Sequence, residues 1–219
     1  MANKGELWGT LTGLNATLLN RWSSAWSDLQ AADMALHERR KLDDSKMANV
    51  FHRRALWESA VASYGRCAVS NRKRKIAFKD FVAEILGDEG LAVHERIMDW
   101  RHGHVAHRNG AEFESVETGF TYANGPAHPT SINVALEIDA GPPNSAEFVT
   151  TFEDHVKTVR DALWEQKLFP LAASVVDDVN AGRIARPAEL HVRKDRSGEE
   201  GRYTLNLNIT TLGGGKSIP

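Results

Sequence analysis

Apolar residues recurring at helical spacing over the first seventy positions narrow most what this chain can become. Leu14, Leu18, Leu19, Trp22, Trp26, Leu29, Met34 and Leu36 form one such series, with Arg21, Asp28 and the Glu38-Arg39-Arg40-Lys41 cluster on the other faces. The series predicts a long amphipathic helix that ends near Leu42. Asp43, Asp44 and Ser45 then offer capping side chains, and Met47, Val50, Phe51, Ala55, Trp57, Val61 and Tyr64 carry a second helix to about Val69. Two long helices joined by a short polar turn read as an antiparallel hairpin, the beginning of a bundle.

Ser70 to Lys75 is a polar, basic connection. Phe78, Phe81, Val82, Ile85 and Leu86 predict a short third helix that Gly87 ends, and Leu91, Val93, Ile97, Met98 and Trp100 predict a fourth, from about Asp88 to Arg108, with Asn109-Gly110 as its stop. The period then switches. Ser115 to Ala123 and Ser131 to Asp139 are alternating or β-branched and flank a loop containing Gly125, Pro126 and Pro129, which predicts a β-hairpin. Pro142-Pro143-Asn144-Ser145 precedes a closing helix marked by Phe148, Phe152, Val156, Val159, Leu163 and Trp164, with Pro170 kinking or dividing it before Gly182. Leu190 to Val192 and Tyr203 to Ile209 read as short strands, and Gly213-Gly214-Gly215 opens a flexible tail. The expected class is mainly α, an antiparallel helical bundle with a small β appendage. Its expected organisation is a single domain over 1–219, with a helical core at 10–110, a hairpin insertion at 115–140, a closing helix at 144–181, and strands and tail at 190–219. The first ten or so residues are expected to be loosely ordered.

Several functions are disfavoured by composition. The formal net charge of −2 argues against a wholly basic coat, so nucleic-acid binding would need a local patch. Arg66 with Arg72, Lys73, Arg74 and Lys75 is such a cluster, although a run of this kind is usually a solvated loop. The single cysteine, Cys67, excludes an intrachain disulfide framework and reads as a small buried hydrophobe in a reducing cytoplasm. No apolar stretch has spanning length, so no membrane role is expected. No Gly-x-Ser-x-Gly elbow is present, and the terminal Gly-Gly-Gly-Lys-Ser run lacks the first glycine of a phosphate-binding P-loop.

The densest chemistry lies in Arg101-His102-Gly103-His104-Val105-Ala106-His107-Arg108. Arginine is a permanent, fork-shaped cation suited to phosphate, and histidine exchanges a proton near neutrality, a pairing that suits phosphodiester chemistry. Arg101, His102 and His107 follow the order of the motif of the HEPN superfamily: arginine, then a polar residue, then a short spacer ending in histidine. The wider context, Leu56-Trp57-Glu58-Ser59-Ala60, Tyr64-Gly65-Arg66-Cys67 and Phe113-Glu114, also resembles a subgroup of HEPN-like proteins over roughly residues 50 to 115. These helical nucleotide-binding domains are common in prokaryotic toxin–antitoxin and abortive-infection systems.

The resemblance implies a metal-independent endoribonuclease, in which the ribose 2′-hydroxyl attacks the adjacent phosphate. It implies His107 as general acid or base, Arg101 as stabiliser of transition-state charge, His102 as an orienting or phosphate-binding group, and a homodimer that faces two motifs across its interface. An antitoxin partner would fit the same setting, with no cofactor and no metal. Ideal helix geometry favours a different histidine. Six residues advance about 240°, so Arg101 and His107 do not share a face, whereas His104 lies three residues from each. Glu58 on the second helix is the further candidate, as a carboxylate that holds an imidazole or guanidinium, and Arg66 and Arg108 are candidate phosphate contacts with Arg72, Lys73 and Arg74. Shared metal coordination is poorly served: only His104 and His107 are well spaced, with His94 or Glu95 as distant additions. The alternative to catalysis is a non-catalytic module of the same fold that binds nucleotide, RNA or a protein.

Overall fold

The computed structural model describes residues 7–68, 74–106, 114–122, 129–185, 187, 189–192 and 209. Its elements are β1 (Leu7–Trp8), α1 (Leu14–Arg40), a short 3-10 turn (Met47–Asn49), α2 (Val50–Ala68), α3 (Phe78–Trp100), a π-turn (Arg101–Ala106), β2 (Glu114–Tyr122), β3 (Pro129–Ile138), α4 (Glu147–Leu163), a second π-turn (Trp164–Leu168), α5 (Phe169–Asn180) and β4 (His191–Val192). The protein is mainly helical with a small strand appendage. No described helix is long and apolar enough to cross a membrane. Two compact units are formed, Ala25–Asp161 and Met1–Ser24 with Ala162–Pro219, with the divisions falling inside α1 and α4.

In the larger unit, α1 buries Ala25, Leu29, Ala32 and Leu36, a stripe at spacings of four, three and four. Alanines do much of what the sequence assigned to bulkier residues, and Met34 is half exposed. On α2, Trp57, Val61 and Tyr64 are fully buried, while Phe51 and, in the preceding 3-10 turn, Met47 face outward. Trp57 packs edge-on against Trp100, Phe148 and Phe152, with ring centroids 5.2, 6.0 and 5.7 Å away. Tyr64 does the same against Phe78 and Phe152. Such edge-to-face geometry sets the positive ring edge on the negative face, adding about 0.5–1.5 kcal/mol per pair beyond area burial.

Two arginines enter this core. Arg39 and Arg53 are 1% and 2% exposed, and both guanidinium groups donate to Asn144 Oδ1, each at 3.0 Å. Both also donate to the Pro142 carbonyl, and Arg39 lies over the Trp57 ring at 5.1 Å. Burial, reinforced by the neighbouring Arg53 charge, pushes the Arg39 guanidinium down to about 10. The Pro-Pro-Asn segment read as a helix start therefore also fastens α1 to α2.

Gly87 breaks α3 as expected, at φ 60° and ψ −155°, a conformation that side chains with a Cβ rarely adopt. The α-helical run stops at Trp100 and gives way to the π-turn at Arg101; His107 and Arg108, expected in the same helix, lie outside the described residues. β2 and β3 pair antiparallel, Glu114 opposite Ile138 and Phe120 opposite Ile132, close to the expected hairpin.

The smaller unit buries Ala16, Trp22, Leu163, Leu168, Ala172 and Val175. Asn15 Nδ2 donates to Asp178 Oδ2 at 2.8 Å, joining the start of α1 to the end of α5. Pro170 stands in the first turn of α5 directly after the π-turn, as expected of a residue that cannot donate to the carbonyl four positions back. The expected strand at Leu190 to Val192 is present as β4. It pairs with Leu7–Trp8, a strand placed where loose order was expected. The expected strand at Tyr203 to Ile209 falls almost wholly outside the described residues.

Candidate functional site

The π-turn Arg101–Ala106 packs against α2, and two α2 residues about two turns apart, Glu58 and Gly65, shape that contact. At Gly65 the Arg101 side chain lies across the helix backbone. A Cβ there would stand 2.6 Å from Arg101 Nε and closer still to Cδ, so this path exists because the residue is glycine. Arg101 is partly buried and its backbone N–H bonds back to the carbonyls of Ile97 and Met98, which ties the arginine to the end of α3.

Glu58 lines a small cleft with Arg54, Trp57, Trp100, Val105, Asp139 and Gly141. The cleft joins α2, the end of α3, the π-turn and the segment that follows β3. Arg54 Nε donates to Glu58 Oε1 at 2.9 Å across one helical turn, so this carboxylate is ion-paired within its own helix. Gly141, at φ 79°, donates its N–H to Asp139 Oδ1 at 2.7 Å, and a Cβ on it would come within 2.8 Å of the Trp57 ring. Trp57 Nε1 is buried with no acceptor among the described residues. Asp139 was not singled out in the sequence, where it reads as the end of a strand.

His102 is exposed on the π-turn, while His104 contributes described backbone and a side chain outside the description. His107 and Arg108 lie outside the described residues, as do Arg72 and Lys73. The structure thus brings Arg101 and Glu58 to one helix face. The basic cluster is arranged differently from a phosphate surface: Arg66 Nε binds Asp28 Oδ1 at 2.9 Å, and Arg74 reaches Asp28 Oδ2 at 2.7 Å and the Arg66 carbonyl at 2.7 Å. Cys67 is buried, its Sγ 3.4 Å from the Ala25 carbonyl, and burial pushes its thiol up, which suits packing and not nucleophilic attack.

A second polar constellation escaped sequence reasoning. Tyr64 Oη lies 2.8 Å from both His94 Nδ1 and His155 Nε2, and all three residues are at least 95% buried. A phenol has one proton to donate and lone pairs to accept, so it can serve one imidazole as donor and the other as acceptor. Burial lowers both histidines, His155 to about 4 with His94 contributing, and raises the Tyr64 hydroxyl well above its ordinary value. His155 follows Phe152 and precedes Val156 and Val159 at core spacing on α4, the one sequence signal that marks it as internal. His94, weighed in the sequence as a metal ligand, spends its Nδ1 on this network, and Glu95 pairs with Lys79.

Comparison with family models, curated proteins and solved structures yields no match.

Proposed function

We propose that the protein is a metal-independent endoribonuclease built on the HEPN pattern, acting as a homodimer with Arg101 at the centre of each half-site. The observation that carries this reading is the posture of Arg101, laid over Gly65 at the start of a π-turn. Single π-turns are uncommon and concentrate at functional sites, and this one follows the end of α3 and carries Arg101, His102 and His104.

In the proposed reaction, a histidine takes the proton of the ribose 2′-hydroxyl, and the oxygen attacks the adjacent phosphorus. The 5′-oxygen of the next nucleotide departs with a proton from a second histidine, leaving a 2′,3′-cyclic phosphate and a 5′-hydroxyl. His107 is assigned the acid–base role, with the partner copy's motif supplying the second group. Arg101 meets the charge that builds on the phosphate oxygens, His102 orients the phosphate from the exposed side of the turn, and His104 is the alternate proton carrier. Glu58 holds the α2 side of the cleft through Arg54.

One observation favours a second reading, a non-catalytic binding module. Arg66 and Arg74 are compensated by Asp28, and Glu58 by Arg54. The test is cleavage of mixed cellular RNA by purified wild type and His107→Ala in excess EDTA, with oligomeric state measured beforehand. Cleavage by wild type alone is expected. A folded dimer that cleaves in neither form sinks the nuclease and leaves the binding module.

A further inference from the structure

The β2–β3 hairpin has two unlike faces. Its cross-strand rows Val116–Leu136, Thr118–Val134 and Phe120–Ile132 share one face, and the five apolar members are 51–68% exposed. On the opposite face Ser115 bonds to Glu137 at 2.9 Å, and Thr121, Ser131 and Asn133 bond to one another. That polar face is the one suited to water. A two-stranded hairpin alone is marginally stable, and a sheet with an apolar face needs more strands or a packed cover.

We propose that the apolar face of this hairpin is a self-association surface whose occupant is the same face of a second copy of the chain. The area fits: the five side chains offer on the order of 600 Å² per copy, near the low end of a standard interface at roughly 800 Å² per partner. The pattern is also self-complementary. Bulky Phe120–Ile132 sits toward the turn, Val116–Leu136 toward the base, and Thr118–Val134 between them. A two-fold axis through the Thr118 row sets each large pair against the smaller pair of the other copy, so residue i meets j and j meets i. No charged side chain lies in these three rows, so they meet their own image without like-charge repulsion; the next row toward the base pairs Glu114 with Ile138. Association through the hairpin does not depend on RNA cleavage.

The experiment is a concentration series of the full-length protein in sedimentation or light scattering, comparing wild type, Phe120→Glu and Asn133→Asp, the last on the polar face. Wild type is expected to self-associate, and Phe120→Glu to weaken the hairpin-mediated step by about a hundredfold or more with helical circular dichroism unchanged, because a buried unpaired charge is strongly disfavoured. Asn133→Asp is expected to behave as wild type. Thr118→Cys, near the proposed axis, is expected to form an intermolecular disulfide under oxidant, a clean readout because the native Cys67 is buried. A wild type that stays monomeric throughout overturns the proposal and leaves the face to a different protein. A dimer untouched by Phe120→Glu and not captured by Thr118→Cys overturns it as well.

Discussion

Gly65→Ala separates two effects of opposite sign on the α2 face. Alanine in a helix interior is favoured over glycine by about 1 kcal/mol. Here the new methyl would fall 2.6 Å from Arg101 Nε and 3.2 Å from Cγ, with Cδ nearer than either, so the arginine must leave its path. Overpacking of this kind costs about 1–3 kcal/mol, which makes the single substitution destabilising by roughly 0–2 kcal/mol. In an Arg101→Ala background those three atoms are gone, and the same change should stabilise by about 1 kcal/mol. The predicted coupling between the two sites is therefore about 1–3 kcal/mol, measurable by urea unfolding of the four proteins in a double-mutant cycle. Gly65→Ala should also lose RNA cleavage nearly as fully as Arg101→Ala, since it moves the same guanidinium. If Gly65→Ala changes stability by the same amount in both backgrounds, within about 0.5 kcal/mol, Arg101 does not occupy this notch and the site is misassembled.

Three other perturbations address the core that holds the site. Tyr64→Phe leaves His94 Nδ1 and His155 Nε2 without their shared partner, and should destabilise by about 2–4 kcal/mol in urea titration, far more than loss of an exposed hydroxyl. Acidification should act through the same pair. His155 is held neutral when folded, down to about 4, but protonates near 6.5 once exposed, so its contribution is complete above pH 6.5 and is lost as pH falls toward 4. That loss is on the order of 3 kcal/mol, and a pH series of unfolding curves should show it flattened in His155→Phe. Asn144→Ala removes the oxygen shared by Arg39 and Arg53 and should cost about 2–4 kcal/mol by thermal or urea unfolding, whereas Asn133→Ala on the exposed hairpin should cost less than about 0.5 kcal/mol.

Elements set by local patterning were legible in the chain. Helical spacing placed α1 and α2, a lone glycine between two apolar runs placed the break in α3, and alternation around a Gly/Pro loop placed the hairpin. Features that depend on distant partners were not. Leu7–Trp8 is a strand only because His191–Val192 lies beside it, and nothing in its neighbourhood announces that. Arg39 looked like part of a charged helix end, yet it is buried because carbonyls and an amide oxygen a hundred residues away accept its hydrogen bonds. Met34 and Phe51 fitted the apolar period but fall on outward faces, because small alanines and those arginines fill the contacts instead.

At the candidate site the sequence supplied residue types and not their arrangement. Arg101 and Glu58 were named from residue type and resemblance, and they do flank one face of α2. The π-turn was invisible, since an apolar period cannot distinguish bonding to the fifth residue from bonding to the fourth. It also removes the basis of the ideal-helix comparison between His104 and His107, because a wider turn changes the angle between successive side chains. Gly65 read as part of a Tyr-Gly-Arg-Cys string, and its role as the arginine's resting place required the two helices to be seen together.

Under the proposed mechanism Arg101, laid over Gly65 at the start of the π-turn, stabilises phosphodiester cleavage without a metal. The most direct test of this role is incubation of total RNA with wild type or Arg101→Ala in excess EDTA, followed by analysis of the fragment ends. Wild type should leave 2′,3′-cyclic phosphates and 5′-hydroxyls, and a folded Arg101→Ala should cleave about a hundred- to a thousandfold more slowly. Arg101→Ala cutting at the wild-type rate, or a folded wild type that leaves all RNA intact, would contradict it.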